Sequence, residues 1–282
     1  MITIGLSTWT RHPHLIHDED RPVRFDEYAG TFPLVELDNP FYGVPTVKAV
    51  TNWTTQAPDG FKYILKAHQS MTRHDDGHGE PITDDVRWQT FAQFRRAVAP
   101  LVKAEKLATI LFQFPPYFTR SVEHIQYLRD VRLRMGDLPV AVEFRDPSWY
   151  AEGVWSDVQD YLKSLQITYV IADEPFDGNQ GVPFMPIMTT PTTAYFRLHG
   201  QNKKGWLSRE GSWQVERTNY HYTMAEIQRL ARSVQQVAET VDHVYVIFNN
   251  NGHGDAAENA EQLRDELGLK FTGLGPTQLD LF

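Results

Sequence analysis

Short apolar runs recur along the chain, each ending at polar or turn-forming residues. Runs of this kind are typical of parallel strands that are buried on both faces, whereas a half-exposed strand alternates apolar and polar residues. Eight runs fit the buried type, at residues 2–8, 34–37, 62–67, 109–114, 140–144, 168–172, 194–198 and 243–248. The pattern therefore predicts eight buried strands.

Between most of these runs, apolar residues recur at the three- and four-residue spacing of an amphipathic helix. Thr46 is a predicted N-cap, and Val50 and Trp53 follow on one face of the helix that it would start. Longer stripes of the same spacing span residues 84–106, 224–237 and 256–267. Alternation of strand and helix indicates a parallel sheet with right-handed crossovers.

The number of units indicates which parallel fold this is. Eight units in 282 residues average about 35 residues each, which matches a (β/α)8 barrel of about 250 residues plus insertions. The length would also accommodate two domains, but no linker interrupts the interior. Prolines between residues 173 and 193 predict that this unit has no helix, or only short turns. We predict an α/β fold, a single (β/α)8 TIM barrel with an irregular sixth unit, over residues 1–272, and a flexible tail over residues 273–282.

Composition narrows the possible functions. The chain is 41% hydrophobic and 22% charged, as globular proteins are, and its net charge of −9 disfavours a surface that coats nucleic acid nonspecifically. A local basic groove remains compatible with that charge. The absence of cysteine excludes disulfides, thiolate catalysis and Cys-ligated metals. The apolar runs are too short to span a membrane, and the N-terminus has no basic region followed by an apolar stretch. These two features predict a cytoplasmic protein without membrane contact.

Polar residues fall at the carboxyl ends of the predicted strands, the end of a barrel that carries active sites. The selected residues are Glu36, Tyr42, Lys66, Gln113, Glu143, Arg145, Arg197, His199, Asn249 and Asn250. Arginine offers a planar fork and lysine a point charge, so three such cations suit an anionic, phosphate- or carboxylate-bearing substrate. We predict that Glu36, Glu143 and His199 are catalytic acid–base groups and that the other seven bind substrate.

A structural interpretation of these residues stays open. Buried carboxylates beside arginines could form a purely structural layer that closes the barrel end. The functional interpretation is favoured because charges at the ends of several strands are not needed for fold stability.

Two connections also have alternative interpretations. The loop at residues 250–255 could hold phosphate on free backbone N–H groups, or be a tight turn with Asp255 as N-cap. In the connection over residues 200–222, cations and aromatic residues could hold single-stranded nucleic acid, although pinning of the loop is favoured.

Metal binding is a weaker prediction. Histidines cluster at positions 12, 14 and 17, and again at 74 and 78 among acidic residues, at spacings that would permit a divalent ion. Both clusters fall in predicted loops, where such residues are commonly solvated. A site built from Glu36, Glu143 and His199 is also conceivable, but the neighbouring cations would oppose a metal that arrives without an anionic substrate. A cofactor is therefore left open, with a divalent metal possible but not favoured.

The order of these motifs resembles the YecE-like family, also called domain of unknown function 72. The resemblance rests on the segments at residues 35–39, 41–42, 66–67, 113–116, 143–145, 197–200, 248–250 and 259–260, with Trp53, Pro58, Phe61 and Trp149. It implies a TIM-barrel fold and supplies no reaction, because the activity of the family is not established. The His-rich segment at residues 9–22 and the aspartate at position 38 depart from the family pattern.

The last five residues, Gln-Leu-Asp-Leu-Phe, resemble the peptide by which bacterial replication and repair proteins bind the sliding clamp. In that resemblance Gln278 hydrogen-bonds at the pocket rim, and three apolar residues fill the hydrophobic cleft of the clamp. These residues are Leu279, Leu281 and Phe282. The alternative is that the tail folds back onto the barrel.

Together these features favour a cytoplasmic TIM-barrel enzyme that acts on an anionic, phosphate-bearing substrate and is recruited by the sliding clamp. Hydrolysis of a phosphate ester or of a phosphodiester in nucleic-acid processing would suit such an enzyme, by analogy alone. The alternatives are a non-catalytic ligand-binding or adaptor module, and a sugar-phosphate enzyme whose tail only packs on the barrel.

Overall fold

Eight parallel strands close into a barrel in the computed structural model, which describes residues 1–18, 20–74, 82–207 and 216–275. The strands are β1 (Ile2–Ser7), β2 (Leu34–Leu37), β3 (Lys62–Lys66), β4 (Leu107–Gln113), β5 (Val140–Glu143), β6 (Thr168–Asp173), β7 (Thr193–Leu198) and β8 (His243–Phe248). Each strand pairs with the next, and β8 returns to β1 with Val244 opposite Ile2. The predicted (β/α)8 TIM barrel is confirmed.

Helices connect the strands, and two short ones, at residues 39–42 and 203–207, lie beside the carboxyl ends of the strands. The helices are α1 (Phe25–Ala29), α2 (Asn39–Tyr42), α3 (Val47–Gln56), α4 (Asp84–Lys103), α5 (Val122–Met135), α6 (Trp155–Ser164), α7 (Lys203–Leu207), α8 (Met224–Ala238) and α9 (Ala256–Glu266). Thr46 caps α3, as predicted, by accepting a hydrogen bond from the Ala49 N–H. Between β6 and β7 the chain forms no helix, so the irregular sixth unit is confirmed.

The predicted helix over residues 84–106 is shorter in the structure. It ends at Lys103, and Glu105 then takes a left-handed conformation with φ of 54°. Lys106 turns inward and donates from Nζ to the carbonyl oxygens of Ala57 and Pro58. Within the described ranges, no helix has both the length and the apolar character that a membrane span requires.

Strand alternation explains where the polar residues lie. Side chains of a strand point alternately into the barrel and toward the helices. The barrel interior is filled by apolar residues that include Leu34, Ile64, Leu111, Ala141, Tyr195 and Ile247. The residues two positions further along these six strands are Glu36, Lys66, Gln113, Glu143, Arg197 and Asn249. The polar residues therefore form the next layer of the barrel interior, at the carboxyl ends of the strands.

After the last helix, the chain runs to the end of the barrel that is opposite the polar layer. The N–H of Gly275, the last described residue, donates to the carbonyl oxygen of Ala29 over 2.8 Å. Ala29 ends α1 and precedes β2, so this contact lies at the amino-terminal ends of the strands. The clamp-like residues Gln278, Leu279, Leu281 and Phe282 lie outside the described residues.

Candidate functional site

Arg197, near the carboxyl end of β7, joins two buried carboxylates across the barrel. Its Nε and Nη2 donate to Glu36 over 2.8 and 2.6 Å, and its Nη1 donates to Oε2 of Glu143 over 2.5 Å. Nη1 also donates to Oε1 of Gln113 over 3.1 Å, and the Tyr195 hydroxyl donates to Glu36. Arg197, Glu36 and Glu143 are at most 1% exposed. These charges are thus both paired and removed from water, as buried charges generally are.

Arg145 makes a second set of contacts beside the first. It lies two residues beyond the end of β5, and its Nε forms an ion pair with Oε1 of Glu143. Its Nη1 donates to Oε2 of Glu174 over 2.6 Å, and its Nη2 donates to Nε2 of His199 over 3.1 Å. The two sets together form what we name the floor network. Its members, all buried, are Glu36, Glu143, Arg145, Glu174, Arg197 and His199.

Glu174 was missed by the sequence analysis. It directly follows Asp173, the last residue of β6, and the two acids point to different places. The Asp173 carboxylate accepts from the Tyr222 hydroxyl over 2.6 Å and from the Gln201 amide over 2.9 Å, which secures the connection after β7. Two adjacent acids at a strand end were the available signal, but a run of residues does not show which one faces the barrel interior.

His199 is held as a neutral imidazole. Burial, followed by the positive charge of Arg145, lowers the pKa of His199 to about 3. A guanidinium group can only donate, so its contact with Nε2 requires a lone pair there and places the imidazole proton on Nδ1. The side-chain amide of Asn249 lies 2.9 Å from Nδ1 and, once rotated by half a turn, accepts that proton. Oε1 of Glu143 lies 3.3 Å from the same Nε2, so the assignment of the proton to Nδ1 rests on the contact with Arg145 and on this orientation of the Asn249 amide.

The two carboxylates around Arg145 differ in their protonation behaviour. Burial alone would raise the pKa of Glu143, but the charges of Arg145 and Arg197 hold that pKa well below its usual value. Burial, opposed only in part by Arg145, raises the pKa of Glu174 to about 7. Glu143 is therefore the permanent anion of the floor network at neutral pH, whereas Glu174 can exchange a proton.

Above the floor network, the described residues enclose a cleft of about 1430 Å³. This volume exceeds the roughly 300–1,000 Å³ of common small-molecule sites. The lining includes five basic residues, Arg11, Arg21, Lys66, Arg145 and Arg217, against two acidic ones, Asp20 and Asp38. Basic residues therefore outnumber acidic ones in the lining of a chain of net charge −9. Two of the five are paired with carboxylates outside the lining, Arg21 with Glu27 and Arg145 with Glu143 and Glu174.

The basic residues of the lining differ in how firmly they are held. We name Arg11 and Lys66 the rim cations. Lys66 Nζ lies 3.7 Å from Oδ1 of Asp38 and 4.5 Å from the centre of the Phe41 ring. The side chain of Arg11 makes no hydrogen bond or ion pair within the described ranges. A bound anion could therefore pair with either rim cation without first breaking a short salt bridge.

Arg217 lines the cleft beside Arg145. Its guanidinium carbon is 4.0 Å from the centre of the Trp206 ring, and Arg145 faces the same ring at 5.3 Å. Burial and the nearby charge of Arg145 lower the pKa of Arg217 to about 10. Two cations therefore share one tryptophan at the edge of the floor network.

The predicted site residues fall into three groups. Those that line the cleft are Tyr42, Lys66, Gln113, Arg145, His199 and Asn249. Glu36, Glu143 and Arg197 lie beneath them in the floor network. Asn250 is fully buried elsewhere, where its Nδ2 donates to the Tyr220 carbonyl and to Oδ1 of Asn259. Thr8, with φ of 59°, and Arg11 line the cleft and were not among the predicted site residues.

The loop after β8 contributes side chains and backbone to the cleft, from Asn251 to Gly254. The Gly252 N–H donates to the Thr218 carbonyl over 3.0 Å. The Asp255 carboxylate lies 3.0 Å from Nδ1 of His221 and makes no capping hydrogen bond to α9. The N–H of Gly252 is therefore not free for a phosphate, as the first interpretation of this loop would require. Asp255 does not cap α9 through its side chain, as the second would require.

The histidine clusters do not converge in the part of the chain that the structure describes. Nε2 of buried His12 donates to the carbonyl oxygens of Ser7 and Thr8, and burial lowers the pKa of His12 to about 4. His14 contacts Glu261 over 3.0 Å. The cluster around His74 extends into residues 75–81, which lie outside the described residues. Within those ranges, the set whose ligand-type atoms lie within 4.8 Å of one another is Glu143, Glu174 and His199.

The closed barrel and its polar, carboxyl-terminal cleft define a TIM-barrel protein with a candidate site at the strand ends. The family model described as "Protein of unknown function DUF72" matches residues 3–280, and the chain belongs to this family. The resemblance inferred from the sequence motifs is confirmed.

Relatives support the same assignment over the whole chain. The chain is 34% identical over 285 residues to the UPF0759 protein YunF of Bacillus subtilis strain 168, covering 100% of both. A crystal structure of a DUF72 family protein from Enterococcus faecalis V583 is 35% identical, with a TM-score of 0.91 over 99% of this chain and 100% of that one. A second, from Thermotoga maritima MSB8, is 28% identical, with a TM-score of 0.79 over 95% of this chain and 100% of that one.

Proposed function

We propose that the cleft binds a phosphate-bearing ligand and that the protein is an enzyme acting on it. The observation that carries this proposal is the lining of five basic and two acidic residues in a chain of net charge −9. Cations gathered in a cleft attract anions because the low-dielectric walls focus their field. The rim cations are the first contacts for such a ligand, since neither is held in a short salt bridge.

A short single strand of nucleic acid is the ligand class that we favour. The cleft is larger than a single sugar phosphate needs, at about 1430 Å³. Tyr42 is 72% exposed and Tyr117 is 39% exposed, and both line the cleft, as Trp206 does. Exposed aromatic rings beside cations suit a strand whose bases stack while its phosphates pair. Hydrolysis of a phosphodiester is the corresponding reaction class.

His199 is the proposed general base. Of the three predicted acid–base groups it alone lines the cleft, while Glu36 and Glu143 lie beneath it. Its neutral form can accept a proton at Nε2 once Arg145 Nη2 leaves that atom. A phosphate group nearby would raise the pKa of His199 toward neutrality by stabilising the imidazolium. Glu36 and Glu143 are positioning residues in this proposal, because they hold the two arginines.

Binding can be tested with a fluorescent single-stranded oligonucleotide of about eight nucleotides, followed by anisotropy. We expect Lys66→Gln to weaken binding roughly fivefold to tenfold and to reduce the salt slope by about one. The matched control is Lys103→Gln, because Lys103 is exposed at the end of α4 and does not line the cleft. Equal affinities for the two variants, or no binding by the wild type, would contradict the proposal.

Catalysis needs a separate test. Nuclease and phosphatase assays of the wild type should show turnover, and His199→Gln should lose it while still binding the oligonucleotide. A wild type that binds the oligonucleotide without any turnover would favour the alternative of a non-catalytic adaptor. Tight binding of small sugar phosphates without oligonucleotide binding would instead favour the sugar-phosphate enzyme.

We also propose that the tail recruits the protein to the bacterial sliding clamp. The support is the resemblance of residues 278–282 to clamp-binding peptides. The last described residue contacts Ala29 at the amino-terminal ends of the strands, so a partner held there would leave the cleft open. A few buried apolar side chains, less their ordering costs, correspond to roughly micromolar affinity.

A further inference from the structure

The guanidinium group of Arg145 occupies a position that is surrounded by metal-ligand side chains. Three of its nitrogens contact three different residues: Nε contacts Glu143, Nη1 contacts Glu174 and Nη2 contacts His199. The three partners are two carboxylates and a neutral imidazole, a common ligand set for divalent metals. Their ligand-type atoms lie within 4.8 Å of one another. Arg145 thus lies at the place where a metal bound by these three residues would lie.

We propose that Glu143, Glu174 and His199 form a cation seat that holds either the Arg145 guanidinium or one divalent metal ion. The two cations compete, because both require the same three ligand atoms. This proposal does not depend on the nature of the ligand in the cleft. A metal in the seat would take the Nε2 lone pair of His199, so the seat with a metal bound and the general-base role of His199 exclude each other.

The residues of the cation seat are oriented from outside it, as metal ligands generally are. Oε2 of Glu143 is held by Nη1 of Arg197 at 2.5 Å, which leaves Oε1 for the seat. Nδ1 of His199 is engaged by Asn249 at 2.9 Å, and the Nε2 lone pair faces the seat. The imidazole is therefore already in the tautomer that binds a metal.

Glu174 supplies a spare oxygen. Its side chain is buried and its Oε2 accepts from Arg145, whereas Oε1 has no hydrogen-bond partner of normal geometry within the described residues. The carboxyl also interacts with the backbone of Val182, which lowers its pKa less than Arg145 does. A buried carboxylate oxygen without a partner is costly, and a cation that took both oxygens would remove that cost. The seat therefore suits a doubly charged ion at least as well as a guanidinium group.

The ligand types indicate which metals would enter. Two carboxylates with one imidazole and no sulfur suit Mn²⁺, Fe²⁺, Co²⁺ or Zn²⁺, whereas Mg²⁺ and Ca²⁺ prefer oxygen ligands alone. Arg145 also lines the cleft, so its side chain can leave the seat toward the cleft without any change in the strands. Three protein ligands leave further positions for water or substrate, as in catalytic metal sites.

The test is a titration of the purified full-length protein with Co²⁺, followed by its visible absorption bands and by calorimetry. Removal of the competing guanidinium in Arg145→Ala should raise the affinity at least roughly tenfold over the wild type, with one ion per chain. Adding Glu174→Gln to Arg145→Ala should lower the affinity again by a similar factor. The matched control is Arg217→Ala, which removes a cation from the same cleft but not from the seat, and should change the affinity much less.

The proposal would be overturned if Arg145→Ala bound Co²⁺ no more tightly than the wild type, or if adding Glu174→Gln left that binding unchanged. An equal gain in Arg217→Ala would overturn it as well, because that gain would reflect the general charge of the cleft. If circular dichroism shows that Arg145→Ala is unfolded, Arg145→Lys replaces it. A lysine ammonium cannot match the planar fork that reaches all three ligands, so its affinity for Co²⁺ should still exceed that of the wild type. His14→Asn should have no effect, since His14 contacts Glu261 away from the seat.

Discussion

The floor network and the rim cations contain the same kinds of charged residue in opposite situations. On the floor, Arg197 contacts two carboxylates within 2.8 Å and is 1% exposed. On the rim, Lys66 has one carboxylate at 3.7 Å and an aromatic ring at 4.5 Å. A buried charge without its partners is strongly unfavourable, whereas a loosely paired charge beside water has electrostatic capacity left for a ligand. The floor should therefore govern stability, and the rim should govern binding.

The largest expected effect is on stability, from the loss of Arg197. Arg197→Met would leave Glu36 and Glu143 buried beside fewer positive charges, and we expect the free energy of unfolding to fall by roughly 3–5 kcal/mol. Chemical denaturation of the wild type and the variant measures this free energy. The matched variant Lys66→Gln should change the same free energy by no more than about 0.5 kcal/mol, as substitutions outside such networks do.

A second substitution tests the cause of that loss. In the Arg197→Met background, Glu36 has lost its cationic partner, whereas Glu143 keeps Arg145. Glu36→Gln removes the carboxylate without a cation and should recover part of the lost stability. No recovery, or a loss below about 1 kcal/mol in Arg197→Met alone, would show that the floor network is not held together by charge pairing.

The next effect concerns His12, a buried titratable group below the loop that carries Arg11. The pKa of His12 falls from 6.5 to about 4 on burial, so the unfolded chain binds more protons between these two pH values. Stability should therefore be complete above about pH 6.5 and decline as the pH falls toward 4, by at most roughly 3 kcal/mol.

The measurement is the free energy of unfolding against pH for the wild type and for His12→Gln. Glutamine can still donate to the Ser7 and Thr8 carbonyls but does not titrate. His199, whose pKa is also lowered by burial, acts in the same direction in both proteins and cancels in the difference. A difference between the two proteins that does not vary between pH 7 and pH 4 would rule out this role for His12.

A smaller effect, on binding alone, is expected at the rim. Tyr42→Ala should weaken oligonucleotide binding by roughly 1 kcal/mol, because a base would lose its stacking surface. Since Tyr42 is 72% exposed, the free energy of unfolding should stay unchanged within about 0.5 kcal/mol. Anisotropy and denaturation measure the two quantities. Tyr42→Phe is the matched control and should bind as the wild type does, since the ring remains.

Sequence alone predicted the strands and the polar layer for one physical reason. Each strand is buried on both faces, so it appears as an apolar run, and its last inward residue appears as a polar interruption. Glu36 in β2 and Lys66 in β3 are examples, each two residues beyond an inward apolar residue. Strand periodicity therefore identified members of one polar layer, although some of them are more than a hundred positions apart in the sequence.

The division into floor and rim could not be predicted in the same way. Lys66 and Arg197 occupy equivalent positions on their strands, and only closure of the barrel places Glu36 and Glu143 around Arg197. Glu174 and Arg11 lie in connections, where no periodicity fixes the direction of a side chain. Their contacts follow from the three-dimensional arrangement of loops that are distant in sequence.

The smallest effect on both regions should come from the tail. Deletion of residues 278–282 should leave oligonucleotide affinity and the free energy of unfolding unchanged, because the chain contacts Ala29 at the end of the barrel opposite the cleft. The same deletion should abolish binding to immobilised sliding clamp, measured by surface plasmon resonance. Asp280→Ala is the matched control, since it keeps Gln278 and the three apolar residues that the resemblance requires. Equal clamp signals with and without the five residues would exclude the tether. A drop in stability on deletion would show instead that the tail packs on the barrel.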